Sequence, residues 1–243
     1  MSKIILDNIN FKYINLDNRP DRKAEVENEL LKVNITAERF SAINKLENDK
    51  IIFPKTYTDG NAGCVLSHFN LLETYNSDKI LGILEDDVVF CDDFKERFDY
   101  IEKEFDLEWD MFFLSSFYHL NDDKQRWNEN GDYEFTGIKY IHRTYGSFCT
   151  HAYLVNPKSI EKILKLCHEH LDKSYAIDHL YILIQPFLNV YAFTPGMANQ
   201  RISYSNISNN IKDQNIFLKT LGQHYYINNL KDFDYDEYFN KNK

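Results

Sequence analysis

Apolar positions recur along this chain in two rhythms, short β-branched or aromatic runs and stripes spaced three or four residues apart, and the two alternate. Residues 11–16 form a run that predicts a strand, and residues 17–20 follow as a turn. A helix then starts near Asp21, with acids in its first turns and Val26, Leu30 and Val33 at helical spacing. Residues 39–43 predict a second strand. This β-α-β order implies a parallel pair joined by a right-handed crossover. Residues 59–63 read as a loop feeding a helix over 64–75, whose inward stripe is Val65, Phe69 and Leu72. After the run that begins at Ile80, residues 93–105 keep helical register through Phe94, Phe98, Ile101 and Phe105. Residues 111–114 predict a short strand buried on both faces.

The second half continues the alternation. Strand signals appear at 138–143 and 148–155, and Asn156-Pro157 marks a helix start, with Asn as N-cap and Pro in the first turn. Residues 178–184 predict a short helix and 189–193 a last strand, ended by Thr194-Pro195-Gly196. Ahead of all these, between 111–114 and 138–143, residues 118–132 are polar and rich in Asn and Asp, a long loop of the kind that serves as a lid or binding edge. The pattern predicts one α/β domain over 1–208 and a polar extension over 209–243, packed on that domain, in which 211–221 is a candidate helix.

The most informative stretch is Ile80-Leu81-Gly82-Ile83-Leu84-Glu85-Asp86-Asp87-Val88-Val89-Phe90. A buried strand tolerates no unpaired carboxylate in its middle, because the charge costs several kcal/mol or forces protonation. The acids therefore belong where a central strand leaves the sheet, the place where α/β proteins bind ligands. There carboxylates can hold a divalent cation, and the cation a phosphate. An ordinary acidic turn is the competing reading. On an extended segment Glu85 and Asp87 face the same side and Asp86 the other, so the first two make the better metal or ribose pair.

Composition narrows the function. The formal net charge of −10, with no basic stripe, argues against a nucleic-acid binder. No apolar run approaches the roughly 18 to 20 residues a transmembrane helix needs. Asp7 and Asn8 interrupt any signal-peptide core. Cys64, Cys91, Cys149 and Cys167 show no CxxC spacing, so buried free thiols are expected in place of structural zinc. These features together suggest a cytoplasmic protein, or one peripheral at a membrane.

Five segments carry a resemblance. Residues 13–22, Tyr-Ile-Asn-Leu-Asp-Asn-Arg-Pro-Asp-Arg, resemble the opening motif of glycosyltransferase family 25, which includes lipopolysaccharide sugar transferases and collagen galactosyltransferases. Gly60-Asn61-Ala62-Gly63-Cys64-Val65-Leu66-Ser67-His68 resembles its Gly-x-x-Gly-Cys-x-x-Ser-His signature, and Ile83-Leu84-Glu85-Asp86-Asp87-Val88 its acidic motif. Residues 150–155 and 190–195 resemble its two later strands, and all five occur in the family's order. The resemblance implies a GT-A type fold, a Rossmann-like and mostly parallel sheet flanked by helices. It also implies a UDP-sugar donor and inversion at the anomeric carbon.

On that reading Asp87 is the direct metal ligand, with Glu85 or Asp86 on ribose or metal-bound water, and the cation is Mn2+ or Mg2+. Arg19 and Arg22, beside the first strand–helix turn, suit phosphate or the uracil face. Backbone groups of Asn15 and Leu16 stand where a base edge would be read. Ser67 and His68 offer donors near a helix N-terminus, whereas Cys64 reads as helix packing. Asp178, which aligns with a recurrent acid of the family, is the candidate base; an N-cap would also account for it. His179 either orients that acid or lies on the surface. His151 is a candidate metal contact or else a core histidine, and Gln200 and Ser205 are candidates for donor or metal contacts. Trp127 and Tyr118 suit stacking on an acceptor sugar. The function expected is transfer of galactose or glucose from a UDP-sugar to a hydroxyl on a glycan or glycoprotein. A nucleotidyltransferase and a catalytically silent nucleotide-sugar-binding module are the alternatives.

Overall fold

The structure is a computed structural model that describes residues 3–44, 51, 53–114, 133–148, 150–201, 203–205, 210–212 and 227–236. Its centre is an eight-stranded sheet in the order β2-β1-β3-β8-β5-β9-β7-β6. The strands are β1 (Ile9–Asn15), β2 (Ala37–Ser41), β3 (Ile80–Glu85), β5 (Met111–Phe113), β6 (Tyr133–Phe135), β7 (Ile141–Thr144), β8 (Ala152–Val155) and β9 (Val190–Phe193). β1 runs parallel to β2 and β3, and β5 runs parallel to β9, while β8 and β7 run against their neighbours. This is the α/β, mostly parallel Rossmann-like sheet that the resemblance implies. Outside it, β4 (Val88–Phe90) pairs with β10 (Ala198–Gln200), and β11 (Ser203–Ser205) with β12 (Asn210–Lys212).

Period-2 alternation divides the core into two layers. Phe11 and Tyr13 of β1, Phe112 of β5, Leu154 of β8 and Phe193 of β9 face one layer. Helices α1 (Pro20–Lys32) and α3 (Phe94–Glu104) cover it with Val26, Leu30, Phe94, Phe98 and Ile101. Leu81, Ile83, Met111, Phe113, Tyr153 and Ala192 face the other. There α2 (Asp59–Thr74), α4 (Ile160–His170) and α5 (Ile177–Ile184) supply Val65, Phe69, Ile163, Leu180 and Tyr181. Each such side chain, fully buried, contributes about 1.5–3 kcal/mol. Gly82 is dictated by packing: a Cβ there would lie 2.3 Å from the ring of Phe11, its register partner on β1.

Several expectations are corrected. Residues 59–63 are not a loop but the first turn of α2, because Thr58 caps it by accepting from the N–H of Asn61. A good cap and the burial of Ala62 and Gly63 outweigh the poor helix propensity of the two glycines. Asn156 does cap, accepting from Lys158, but the turn it opens is a 3-10 segment, Pro157–Ser159, that leads into α4. Residues 210–212 form a strand and do not begin a helix; 213–221 lie outside the described residues, as do 118–132 with Tyr118 and Trp127. Residues 227–236 pack on the α3 side: Asn228 accepts from the N–H of Asp92, and the Tyr235 hydroxyl lies 3.0 Å from His142 Nε2. Among the described residues no helix is long and apolar enough to cross a membrane.

Candidate active site

β1, β3 and the start of β8 converge on a cleft of about 440 Å3, within the range typical of small-ligand sites. β3 ends at Glu85, and Asp86 and Asp87 form the turn before β4. The acidic run therefore sits where the hydrophobic pattern puts it, at the mouth of a central strand. Asn15, Leu16, Arg19, Arg22, Ser67, His68, Glu85, Asp86, Asp87, Asp178 and Gln200 all line the cleft. His151 does not. It is fully buried behind Glu85, whose N–H bonds its carbonyl at 2.9 Å, and burial lowers its pKa to about 4.

The three acids have different fates. Asp86 is closed off, accepting from Asn15 Nδ2 at 2.8 Å and from Arg22 at 2.6 Å. Arg22 is thus the clamp of the acidic turn, and it lies 3.6 Å from Asp87. Asp87 Oδ1 is buried without a hydrogen-bond partner among the described residues. Burial, then the charge of Glu85, pushes the Asp87 carboxyl well above the usual carboxylate range. Glu85 accepts from Thr150 Oγ1 at 2.8 Å, with Gln200 Nε2 at 3.4 Å and His68 Nε2 at 3.6 Å.

Asp178 is not an N-cap. Ala176 occupies that position, and Asp178 is the second residue of α5. Its Oδ1 lies 2.6 Å from the Thr150 hydroxyl, whose one proton is shared between this oxygen and Glu85, and accepts from the Thr150 N–H at 3.3 Å, whereas Oδ2 makes no bond among the described residues. Burial, then the charge of Glu85, raises its pKa. One hydroxyl therefore touches two carboxyls, which ties the candidate base to the acidic strand end.

Other residues are more committed than the sequence suggests. Ser67 gives its proton to the Gly63 carbonyl and accepts from the N–H of Ile43, so the hydroxyl serves local structure. The Asn15 carbonyl already accepts from Ala42 N and from Arg39, which leaves little of it to read a base edge. Arg19 pairs with Asp21 at the rim. The ring of His179 stacks on exposed Tyr175 at 4.4 Å. Of Ser205 only the backbone, in β11, is described.

Sequence reading gave no role to Thr150, Arg39 or Arg201. Thr150 looks like an ordinary β-branched strand residue. Only the antiparallel β3–β8 pairing, which sets Leu84 opposite Ala152, brings it beside Glu85. Arg201 lines the cleft and donates its N–H to the Asp87 carbonyl at 2.7 Å. A basic residue just past Gln200 was the available signal for it. Cys64, His68 and Glu85 form a further group, their ligand atoms all within 4.8 Å of one another.

A procollagen lysyl hydroxylase and glycosyltransferase of Acanthamoeba polyphaga mimivirus is 30% identical over 128 residues, covering 42% of this chain and 14% of that protein. The chain thus matches about a seventh of that relative's length. Among solved structures, the galactosyltransferase LgtC in complex with donor and acceptor sugar analogs superposes with a TM-score of 0.46 at 15% identity, covering 75% of this chain and 72% of that one. A glycosyltransferase involved in glycosylation of the major capsid of PBCV-1 gives 0.42 at 9% identity, over 81% and 94% of the two chains. The family model described as glycosyltransferase family 25 (LPS biosynthesis protein) matches residues 9–181, a span that holds the first strand, the acidic turn and Asp178. The chain belongs to glycosyltransferase family 25.

Proposed function

We propose that this glycosyltransferase moves a hexose, galactose or glucose, from a UDP-sugar to a hydroxyl of a glycan or glycoprotein, inverting the anomeric carbon. The observation that carries the reading is the pairing of Asp178 with the acidic strand end through Thr150. An inverting displacement needs a base on the acceptor side and charge stabilisation on the leaving-group side, both within reach of one anomeric carbon. Asp178 Oδ1 is fixed by Thr150, and Oδ2 is left to take the acceptor's proton. Burial raises its affinity for that proton, as a base requires.

On the donor side Arg201 lines the cleft near Asp87; its guanidinium pairs with exposed Glu25 at 2.5 Å, a surface ion pair weak enough for a diphosphate to replace. The donor set fits a hard divalent cation, Mn2+ or Mg2+: Glu85 and Asp87 offer carboxylate oxygens, and Asp87 Oδ1 has no hydrogen-bond partner among the described residues. When bound, such a cation supplies Lewis-acid stabilisation of the leaving diphosphate. Arg22 and Asn15 hold Asp86, and with it the turn, in place.

The test is a hydrolysis screen of UDP-, GDP- and CMP-sugars with and without Mn2+. Turnover of a UDP-hexose that requires the cation is expected. Asp87→Ala is expected to remove cation-dependent UDP binding in calorimetry, a loss of about 100-fold or more. Preference for a different nucleotide, or equal UDP affinity in the variant, would overturn the assignment.

A further inference from the structure

We propose that Cys64, His68 and Glu85 form a second cation site in the cleft wall, selective for a soft divalent ion of the zinc type. Cys64 and His68 stand four residues apart on α2 and so share a face. β3 brings the Glu85 carboxylate to that face, and the three ligand atoms lie within 4.8 Å of one another. Zinc bond lengths of about 2.0–2.3 Å set tetrahedral ligand separations at roughly 3.3–3.8 Å. The His68–Glu85 separation of 3.6 Å already falls in that range.

The second observation is His68 itself. The residue is fully buried, and its Nε2 has no hydrogen-bond partner among the described residues although it is aimed at Glu85. Its Nδ1 lies 2.7 Å from the Tyr153 hydroxyl, which in turn is 2.9 Å from that of Tyr181. When Nδ1–H donates into this chain, Nε2 presents a bare lone pair to a carboxylate oxygen, two acceptors face to face. In the other tautomer Nε2–H is too far from Glu85 to bond it. A cation satisfies the imidazole and the carboxylate and displaces the Cys64 proton to bulk solvent as the sulfur binds, offsetting the burial and acidic charge that otherwise keep the thiol protonated. The tyrosine pair is the outer-shell support that orients a metal-bound histidine.

Sulfur and imidazole ligands favour zinc over manganese or magnesium, and three protein ligands leave one tetrahedral position open. The site stands apart from the transferase reading but shares Glu85 with the carboxylate pair assigned to the hard cation. Filling one site therefore denies Glu85 to the other, and zinc is expected to weaken Mn2+-dependent donor binding.

The test titrates the full, metal-free chain with Co2+, whose thiolate charge-transfer and tetrahedral d–d bands report sulfur coordination. A saturable thiolate band that zinc displaces is expected in the wild type. Cys64→Ser is expected to lose the band, His68→Gln to weaken binding at least about 10-fold, and Asp87→Asn to keep the band. Absence of the band in the wild type, its survival in Cys64→Ser or its loss in Asp87→Asn would overturn the site. Where Cys64→Ser fails to fold by circular dichroism, zinc-edge X-ray absorption of the wild type decides: a sulfur in the coordination shell supports the site and an all-nitrogen-and-oxygen shell refutes it. Manganese-dependent donor hydrolysis without a cobalt–thiolate band would sink this site alone and leave the transferase reading intact.

Discussion

The arginines of two arginine–aspartate pairs sit on helices that cover the same layer of the sheet, and the pairs end differently. Arg97 of α3 is fully buried, 2.8 Å from Asp93, and directs its guanidinium at the carbonyls of Pro195, Gly196 and Ile227. Asp93 accepts in turn from the N–H of Leu230. This region closes on itself and pins residues 227–236 to the domain. Arg22 makes a similar pair with Asp86, but the neighbouring groups are left open: among the described residues Asp87 Oδ1 and His68 Nε2 have no hydrogen-bond partner, and Asp178 is held by one oxygen only. Arg97 Nε and Asp93 Oδ1 make no hydrogen bond among the described residues either, but they face each other as opposite charges at 2.8 Å, and buried charge answered by its opposite within the fold is architecture. Buried lone pairs that converge on an open cleft mark a site, because desolvation has been accepted without an internal partner.

The largest expected effect tests the open side. Asp178→Asn keeps an oxygen for Thr150 to bond and removes only the ability to accept a proton. Transfer is expected to fall by about 10^2–10^4-fold, with UDP affinity in calorimetry unchanged. Full activity would break the contrast by making Asp178 another closed structural acid. The closed side is tested by Arg97→Met, which leaves Asp93 buried without its cation. A stability loss of about 3–5 kcal/mol is expected from denaturant unfolding, and a loss below about 1 kcal/mol would mean that the pair is dispensable.

The contrast also explains what could be read in advance. The strands β1, β3, β5 and β9 and the helices α1, α3 and α4 follow from periodicity, because each buries a continuous apolar face. The position of Glu85, Asp86 and Asp87 followed from the cost of a charge inside a strand. The division of labour among them did not, since it depends on Asn15 and Arg22 reaching Asp86 from a separate strand and helix. Thr150 was hidden for the same reason, as were β6 and β10, three-residue strands too short to show any alternation. Ser67 misled because a hydroxyl near glycines resembles an anion donor, whereas an i−4 bond to Gly63 uses its proton.

β3 joins the two regions, carrying the acids at one end and core residues along its length. Gly82→Ala forces a methyl group against the Phe11 ring in the middle of a paired strand. The expected cost is about 1–3 kcal/mol by overpacking, read as a lower unfolding midpoint. Shortening the opposing ring in Gly82→Ala/Phe11→Leu is expected to recover part of it, through coupling between residues in contact. Strict additivity in that cycle would show that the glycine answers to something other than Phe11.

The smallest effect concerns His142, on the closed side. It is fully buried beside the Tyr235 hydroxyl, and burial alone lowers its pKa to about 3. In the unfolded chain the imidazole takes up a proton near its ordinary value of about 6.5, whereas in the folded protein it stays neutral until far lower pH. Acid therefore favours the unfolded chain: the contribution of this residue is complete above the unfolded value and is lost as pH falls toward the folded one. Between pH 7 and pH 5.5 the loss is about 1 kcal/mol. His142→Gln retains a polar partner for Tyr235 but has nothing to protonate, so its unfolding midpoint is expected to fall less steeply across that interval. Parallel slopes for the two proteins would mean that water or a described neighbour already compensates the charge, and His142 would then belong with the open groups of the cleft rather than with Arg97.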